Sequence, residues 1–301
     1  MSSDTNPTTS IPANAVVVGI DGSERDATCL AYAAGAATRA GCPLHLLHAQ
    51  ELVTELALSD AVSARGLGTL ADVADDGVLP AALSDARSRW PDLEITGSDP
   101  WAHAERALIE ASEGAHLVVV GSRSVSGLER WILGRSSLAV AMHAACPVVL
   151  VPAGARTGAE GDVVVGVDGS EHSALAAERA FWIAQIRKAP VRVITTWSLE
   201  IVDGMVVTTP ENPAWAQVEG KYRDLAERIV APLRERCPEV PCEIDVRRGS
   251  PAAVLAEASA TAGLLVIGRR GRGGFRGMLL GSVAHKVIET ATCPVMVVRQ
   301  G

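Results

Sequence analysis

Aromatic side chains are scarce in this chain, making up only 3% of its 301 residues. Large rings therefore cannot dominate its interior. Almost half the sequence is nevertheless apolar, 48%, and most of that is Ala, Val, Leu and Ile. Such a composition suits strands buried on both faces, with Ala-rich helices lying on them. Lysine is nearly absent, with only Lys188, Lys221 and Lys286. The formal net charge is −8, which excludes a general nucleic-acid binder, because neutralising phosphates takes many cations. The N-terminus has neither a basic stretch nor an apolar run after it, so no secretory leader is expected. No apolar run approaches a membrane span in length. Residues 1–13 read as a disordered tail. The cysteines Cys29, Cys42, Cys146, Cys237, Cys242 and Cys293 form no C-x-x-C pair. Reduced thiols and a cytoplasmic location are the expectation. The histidines show no metal-ligand spacing, and there is no nucleophile elbow or paired-carboxylate motif beside a candidate loop. No catalytic residue and no protein metal site are therefore assigned.

What is present is a repeat. Val16-Val-Val-Gly-Ile-Asp-Gly-Ser23 returns as Val163-Val-Val-Gly-Val-Asp-Gly-Ser170, an offset of 147 residues. The same offset relates Leu117–Gly121 to Leu264–Gly268, Gly134 to Gly281, and Cys146-Pro147 to Cys293-Pro294. One offset across such distant anchors marks a duplicated unit. The Gly- and Ala-rich stretch 153–161 reads as a flexible linker between domains at 14–152 and 162–300.

In the second copy, 162–167 reads as a buried strand, followed by a turn at Asp168-Gly-Ser170 and a helix to about Lys188. Val191–Trp197 reads as a strand and 198–211 as irregular. Asn212-Pro213 predicts a helix start, with Trp215, Tyr222, Leu225 and Ile229 at helical spacing and a break or kink at Pro232. Glu243–Arg247 is the next strand. Ser250-Pro251 opens a helix, Leu264–Gly268 is a strand, and Ser282 caps a last helix whose buried stripe is Val283, Val287, Ile288 and Ala291. Pro294–Val298 closes the unit. This alternation predicts an α/β fold: two tandem Rossmann-like domains, each a parallel sheet with helices on both faces. Ligands of such sheets bind beyond the carboxyl ends of the strands.

One loop carries the chemistry. After the fourth strand the second copy reads Gly268-Arg-Arg-Gly271-Arg-Gly-Gly-Phe-Arg-Gly-Met-Leu-Leu-Gly281-Ser282. Gly271, Gly273, Gly274 and Gly277 allow close backbone approach, and successive N–H groups can form an anion nest. Gly281-Ser282 sits at a helix N-terminus, which favours phosphate. Arg269, Arg270, Arg272 and Arg276 add positive charge. A P-loop is excluded because the required lysine is missing. A dinucleotide fingerprint would follow the first strand, where Asp168-Gly-Ser stands instead. A Gly/Arg loop with no ligand is the plainer alternative.

These residues resemble the universal stress protein family. Its nucleotide-binding members share G-x2-G-x9-G-[ST] after strand four, and Gly268, Gly271, Gly281 and Ser282 match every fixed position. The Val-Gly-Val-Asp-Gly-Ser opening and the Cys-Pro-Val-Met-Val-Val ending are also similar, and the likeness covers both halves in the tandem form. It implies five strands per domain in the order 3-2-1-4-5, and ATP, with Mg²⁺, as ligand. Asp168 would hydrogen-bond the ribose or help place the metal; the plain alternative is a turn residue capping the next helix. Gly166 and Val167 would border the base, and Thr196 would meet adenine through its backbone or serve only as a strand residue. Ile267 and Gly268 would line the pocket, while Gly271, Gly281, Ser282 and Val283 would hold phosphates beside Arg270. In the first copy the matching positions are Gly19, Asp21, Ala49, Gly121, Gly134, Arg135 and Ser136. There Ser124 replaces the second glycine and Arg135 replaces the hydroxyl residue, leaving occupancy open; Ser136 is the candidate substitute.

The resemblance further implies a stress-response or growth regulator working through nucleotide-dependent conformation, with an unknown protein partner. It implies a homodimer through the fifth strands, Val148–Val151 and Val295–Val298, a pairing that two copies in one chain can also satisfy internally. A nucleotide-independent interaction module and a slow ATPase are the alternatives.

Overall fold

A computed structural model describes residues 10–50, 77–121, 123–124, 131–132, 134–155, 161–198, 200–202, 205–207, 209–212, 214–273 and 279–299. Residues 1–9 of the expected tail, residues 156–160 of the expected linker, Ser122, Pro213, Gly274, Arg276 and Gly277 lie outside the described residues, as does the side chain of Ser124. By contact the chain divides into two units, Met1–Gly121 with Arg135–Val148, and Ser122–Gly134 with Val149–Gly301.

Short runs, rich in Val or Leu except in the third, form the strands of the first half: β1 (Val16–Gly19), β2 (Leu44–Leu47), β3 (Ile95–Ser98) and β4 (Leu117–Gly121). The helices α1 (Asp26–Ala40), α2 (Val78–Arg89) and α3 (Ala104–Ala111) alternate with them. Two short pieces, β5 (Arg123–Ser124) and β6 (Trp131–Ile132), pair antiparallel. Helix α4 (Arg135–His143) and β7 (Val148–Val151) complete the half. All pairings among β1, β2, β3 and β4 are parallel.

The second half repeats the plan with β8 (Val163–Gly166), α5 (Glu171–Arg187) and β9 (Val191–Trp197). A hairpin, β10 (Glu200–Val202) with β11 (Met205–Val207), precedes α6 (Trp215–Arg236) and β12 (Cys242–Arg248). Then come α7 (Pro251–Ser259), β13 (Leu264–Gly268), α8 (Ser282–Thr290) and β14 (Val295–Val298). Its main-sheet pairings are parallel, and within each half the strand order is 3-2-1-4-5. Residues of β8 and β13 such as Val163, Val165, Leu264 and Val266 are fully buried, as aliphatic strands covered on both faces should be.

Three local expectations are corrected. Residues 198–211 are not irregular, because the β10–β11 hairpin lies there. Buried Val207 at its end joins Trp197, Ala214 and Val218, with Trp215 edge-on to Trp197 at a centroid distance of 4.7 Å. Helix α6 is formed from Trp215, and just ahead of it the Asn212 side chain accepts the Ala214 amide at 2.9 Å, the bond a capping asparagine makes. The helix also runs through Pro232 and ends at Arg236. Its buried residues are Val218, Ala226, Val230 and Leu233, while Trp215 and Tyr222 are half-buried along the rim of the Trp197 cluster. Finally, Gly281 is the N-cap of α8 and Ser282 is its first residue. The stripe of α8 is Ala284, Val287 and Ile288, whereas Val283 is 37% exposed.

Candidate functional site

The site grows from two loops at the carboxyl edge of the second sheet. Beyond β8, the Val167 amide still donates to the Ile194 carbonyl at 2.9 Å, so the chain leaves the sheet at Asp168. Gly169 then takes φ +86°, a left-handed turn that suits glycine. Ser170 caps α5, its hydroxyl accepting the Ser173 amide at 3.2 Å. That cap leaves the Asp168 carboxylate for other work. Its Oδ1 accepts the Ser170 amide at 3.0 Å and the Ser170 hydroxyl at 2.6 Å. Its Oδ2 reaches across to the glycine-rich loop and accepts the Arg272 amide at 2.8 Å. Burial opposes ionisation of Asp168, but the bonds from Ser170 and Arg272 outweigh it and hold the carboxyl below its ordinary range.

The second loop follows β13, and its glycines serve different ends. A Cβ on Gly268 would lie 2.7 Å from the His172 carbonyl oxygen, so this glycine lets α5 pack on the strand. A Cβ on Gly271 would lie 2.5 Å from Asp168 Oδ2, so it makes room for the clasp. Gly281 is different: its amide donates to the Arg269 carbonyl at 2.8 Å, and a Cβ there would meet nothing nearer than 3.5 Å. Among the described residues nothing requires glycine at that point, which leaves their side of the approach to the first turn of α8 open. The amides of Ser282, Val283 and Ala284 begin that helix and have no intrahelical acceptor by its geometry.

Between the two loops lies a cavity of about 530 Å³. It is lined by Gly166, Val167, Asp168, Thr196, Ile267, Gly268, Arg270, Gly271, Gly281, Ser282 and Val283, the second-half residues to which the resemblance assigns a role. Ile194, Leu255 and Ile267 give it an apolar flank, and Arg269, Arg270, Gly271, Arg272 and Gly273 give it a polar, cationic one. Sequence reasoning missed Ser173, Ile194, Thr195, Tyr222, Pro251, Leu255 and Ala284 as lining residues. Tyr222 and Leu255 come from α6 and α7, whose facing is set by packing rather than by any motif. His172 was also missed: its Nε2 accepts the Arg270 Nε–H at 3.0 Å. Burial first, and then the Arg270 and Arg269 charges, depress its proton affinity.

The first half is wired differently. Asp21 Oδ1 accepts the Ser23 amide at 3.1 Å, but Oδ2 pairs with Arg25 at 3.1 Å. Burial works against the charge of Asp21, and the bonds from Ser23 with the Arg25 charge more than offset it. Gly19 packs on Leu108 much as Gly166 packs on Leu255. Ala49 follows β2, and Gly121 ends β4 with its carbonyl accepting the Ser137 hydroxyl at 2.8 Å. Gly134 precedes α4, where Arg135 is exposed. The Ser136 hydroxyl donates to Glu105 of α3 at 2.9 Å.

Comparison with known proteins adds three findings. The model of the universal stress protein family matches residues 13–152 and 161–299. A universal stress protein of Mycolicibacterium smegmatis is 32% identical over 288 residues, covering 94% of this chain and 96% of that protein. One of Mycobacterium tuberculosis strain H37Rv is 33% identical, covering 95% and 96%. The crystal structure of a universal stress protein from Archaeoglobus fulgidus superposes with a TM-score of 0.67 at 21% identity, covering 97% of this chain and 100% of that one, a likeness of fold.

Proposed function

The chain belongs to the universal stress protein family, and on that premise we propose that the cavity of its second half is an ATP site through which the protein regulates stress response or growth. The observation that carries the reading is the convergence of the Asp168 clasp, the Gly271 loop and the open first turn of α8 on one cavity. Its volume lies within the range of about 300–1,000 Å³ usual for small-molecule sites. The base would sit against Ile194, Leu255 and Ile267, near the backbone of Thr196. The ribose would meet Asp168, whose Oδ2 keeps a lone pair beyond its bond from the Arg272 amide. The phosphates would take the amides of Gly271 and the α8 first turn, with Arg270 beside them.

Mg²⁺ fits this arrangement as a companion of the phosphates. It favours one or two carboxylates plus phosphate oxygens, and Asp168 is the one carboxylate among the described lining residues. When bound, the metal would neutralise phosphate charge. A single, already hydrogen-bonded carboxylate favours holding a nucleotide over attacking one.

Binding would tighten the loop between Gly268 and Gly281 and change the surface offered to a protein partner in the cytoplasm. Among the described residues no helix is long and apolar enough to cross a membrane. The family also suggests a homodimer, which a sedimentation mass of twice 31.3 kDa would support and a single-chain mass would rule out.

A thermal-shift titration tests the ligand. ATP with Mg²⁺ should raise the melting temperature of the wild type and leave Gly271→Glu unmoved, since a ligand at 100 times its Kd adds about 2.7 kcal/mol. Absence of any shift at millimolar ATP would overturn the reading.

A further inference from the structure

The side chain of Arg270 is held at its inner end. Its Nε–H donates to His172 Nε2 at 3.0 Å, which requires an imidazole unprotonated on that nitrogen. His172 stands in the first turn of α5, where its backbone forms the floor under Gly268. The groups facing it are Arg269 and Arg270 from the glycine-rich loop, Asp168 from the loop after β8, and Glu171 from its own helix. Burial and the two arginines favour the neutral ring, and the two carboxylates act against them. A guanidinium fixed through Nε keeps its four Nη–H donors for another acceptor. Arg270 lines the cavity, so that acceptor can be an anion bound there.

The first half lacks this arrangement. The residue 147 positions before His172 is Arg25, which donates to Asp21 instead of accepting anything.

We propose that His172 is a positioning residue that holds the Arg270 guanidinium ready for the phosphate chain of the bound nucleotide. The inference rests on the reading of the cavity as an ATP site. It assigns His172 no contact with the ligand: it acts through Arg270 by removing the freedom that a long side chain would otherwise lose on binding. Its contribution belongs to the phosphates and not to the nucleoside.

The test is calorimetric titration of the full chain with ATP and with adenosine, for the wild type, His172→Ala, His172→Gln, Arg270→Ala and the double variant His172→Ala/Arg270→Ala. His172→Ala should weaken ATP roughly three- to tenfold, the scale of one immobilised side chain, and leave adenosine unchanged. His172→Gln, whose amide oxygen can accept from Arg270, should recover part of the loss. With Arg270→Ala already present, His172→Ala should cost nothing further. Equal losses for ATP and adenosine would overturn the proposal, as would a His172 effect that persists without Arg270. If the wild type binds ATP and Arg270→Ala weakens it while His172→Ala does not, positioning by His172 fails and the ATP site stands. If the wild type binds no ATP, both fall together.

Discussion

At the scale of single residues, the same kind of group does different work in the two halves. Asp168 uses one oxygen on its own turn and the other on the Arg272 amide, whereas Asp21 spends the second on Arg25. The shared Asp-Gly-Ser sequence could not reveal this, because the difference lies in which side chain meets Oδ2. It follows that Gly271→Ala, with its Cβ 2.5 Å from Asp168 Oδ2, should break the clasp and weaken ATP at least tenfold. Direct binding measurement checks this, and an unchanged affinity would show that the clasp is dispensable. His45 offers a second residue-level test. It is fully buried between Thr96 and Ser98, each hydroxyl 2.8 Å from one ring nitrogen, and burial lowers its pKa from 6.5 to about 4. The unfolded chain therefore binds the proton that the folded state refuses. Stability should be undiminished above pH 6.5, fall as pH drops, and level off below 4, with a total cost of about 3 kcal/mol. Urea unfolding at several pH values measures the slope, and His45→Leu should flatten it.

At the scale of elements, the glycines of one motif separate into structural and ligand-facing roles. Gly268→Ala drives a methyl into the His172 backbone and should destabilise the packing of α5 on β13 by roughly 1–3 kcal/mol. Gly281→Ala meets nothing nearer than 3.5 Å at a φ of −73°, so the melting temperature should hold while ATP affinity falls. Calorimetric melting of the two variants, each with and without ATP, separates these outcomes. The element order was readable because each buried strand is a short aliphatic run bounded by turn residues. The β10–β11 hairpin was missed although Asp203-Gly204 between Ile201-Val202 and Met205–Val207 is itself a hairpin signal. Propensity favours a break at Pro232, yet α6 continues to Arg236, with Val230 and Leu233 buried on either side of the proline. The cavity was legible where the backbone builds it, through Gly166, Gly271 and Gly281. Tyr222 and His172 were illegible because their place depends on how α5 and α6 lie on the sheet.

At the scale of the whole molecule, the fold is duplicated while the sequence of the loop after the fourth strand is not. Both halves keep the strand order, but the second alone carries the matching G-x2-G-x9-G-S, and among the described residues Asp168 is the aspartate bonded to that loop. The first pairs Asp21 with Arg25 and bonds Ser136 to Glu105. The account therefore expects unequal halves: strong binding by the second and weak or absent binding by the first. Equilibrium dialysis of the full chain against labelled ATP with Mg²⁺ tests this most directly, run on the wild type and on Gly271→Glu. One tightly bound nucleotide per chain is expected, lost in the variant. No binding at millimolar ATP, or a full equivalent retained by Gly271→Glu, would contradict it.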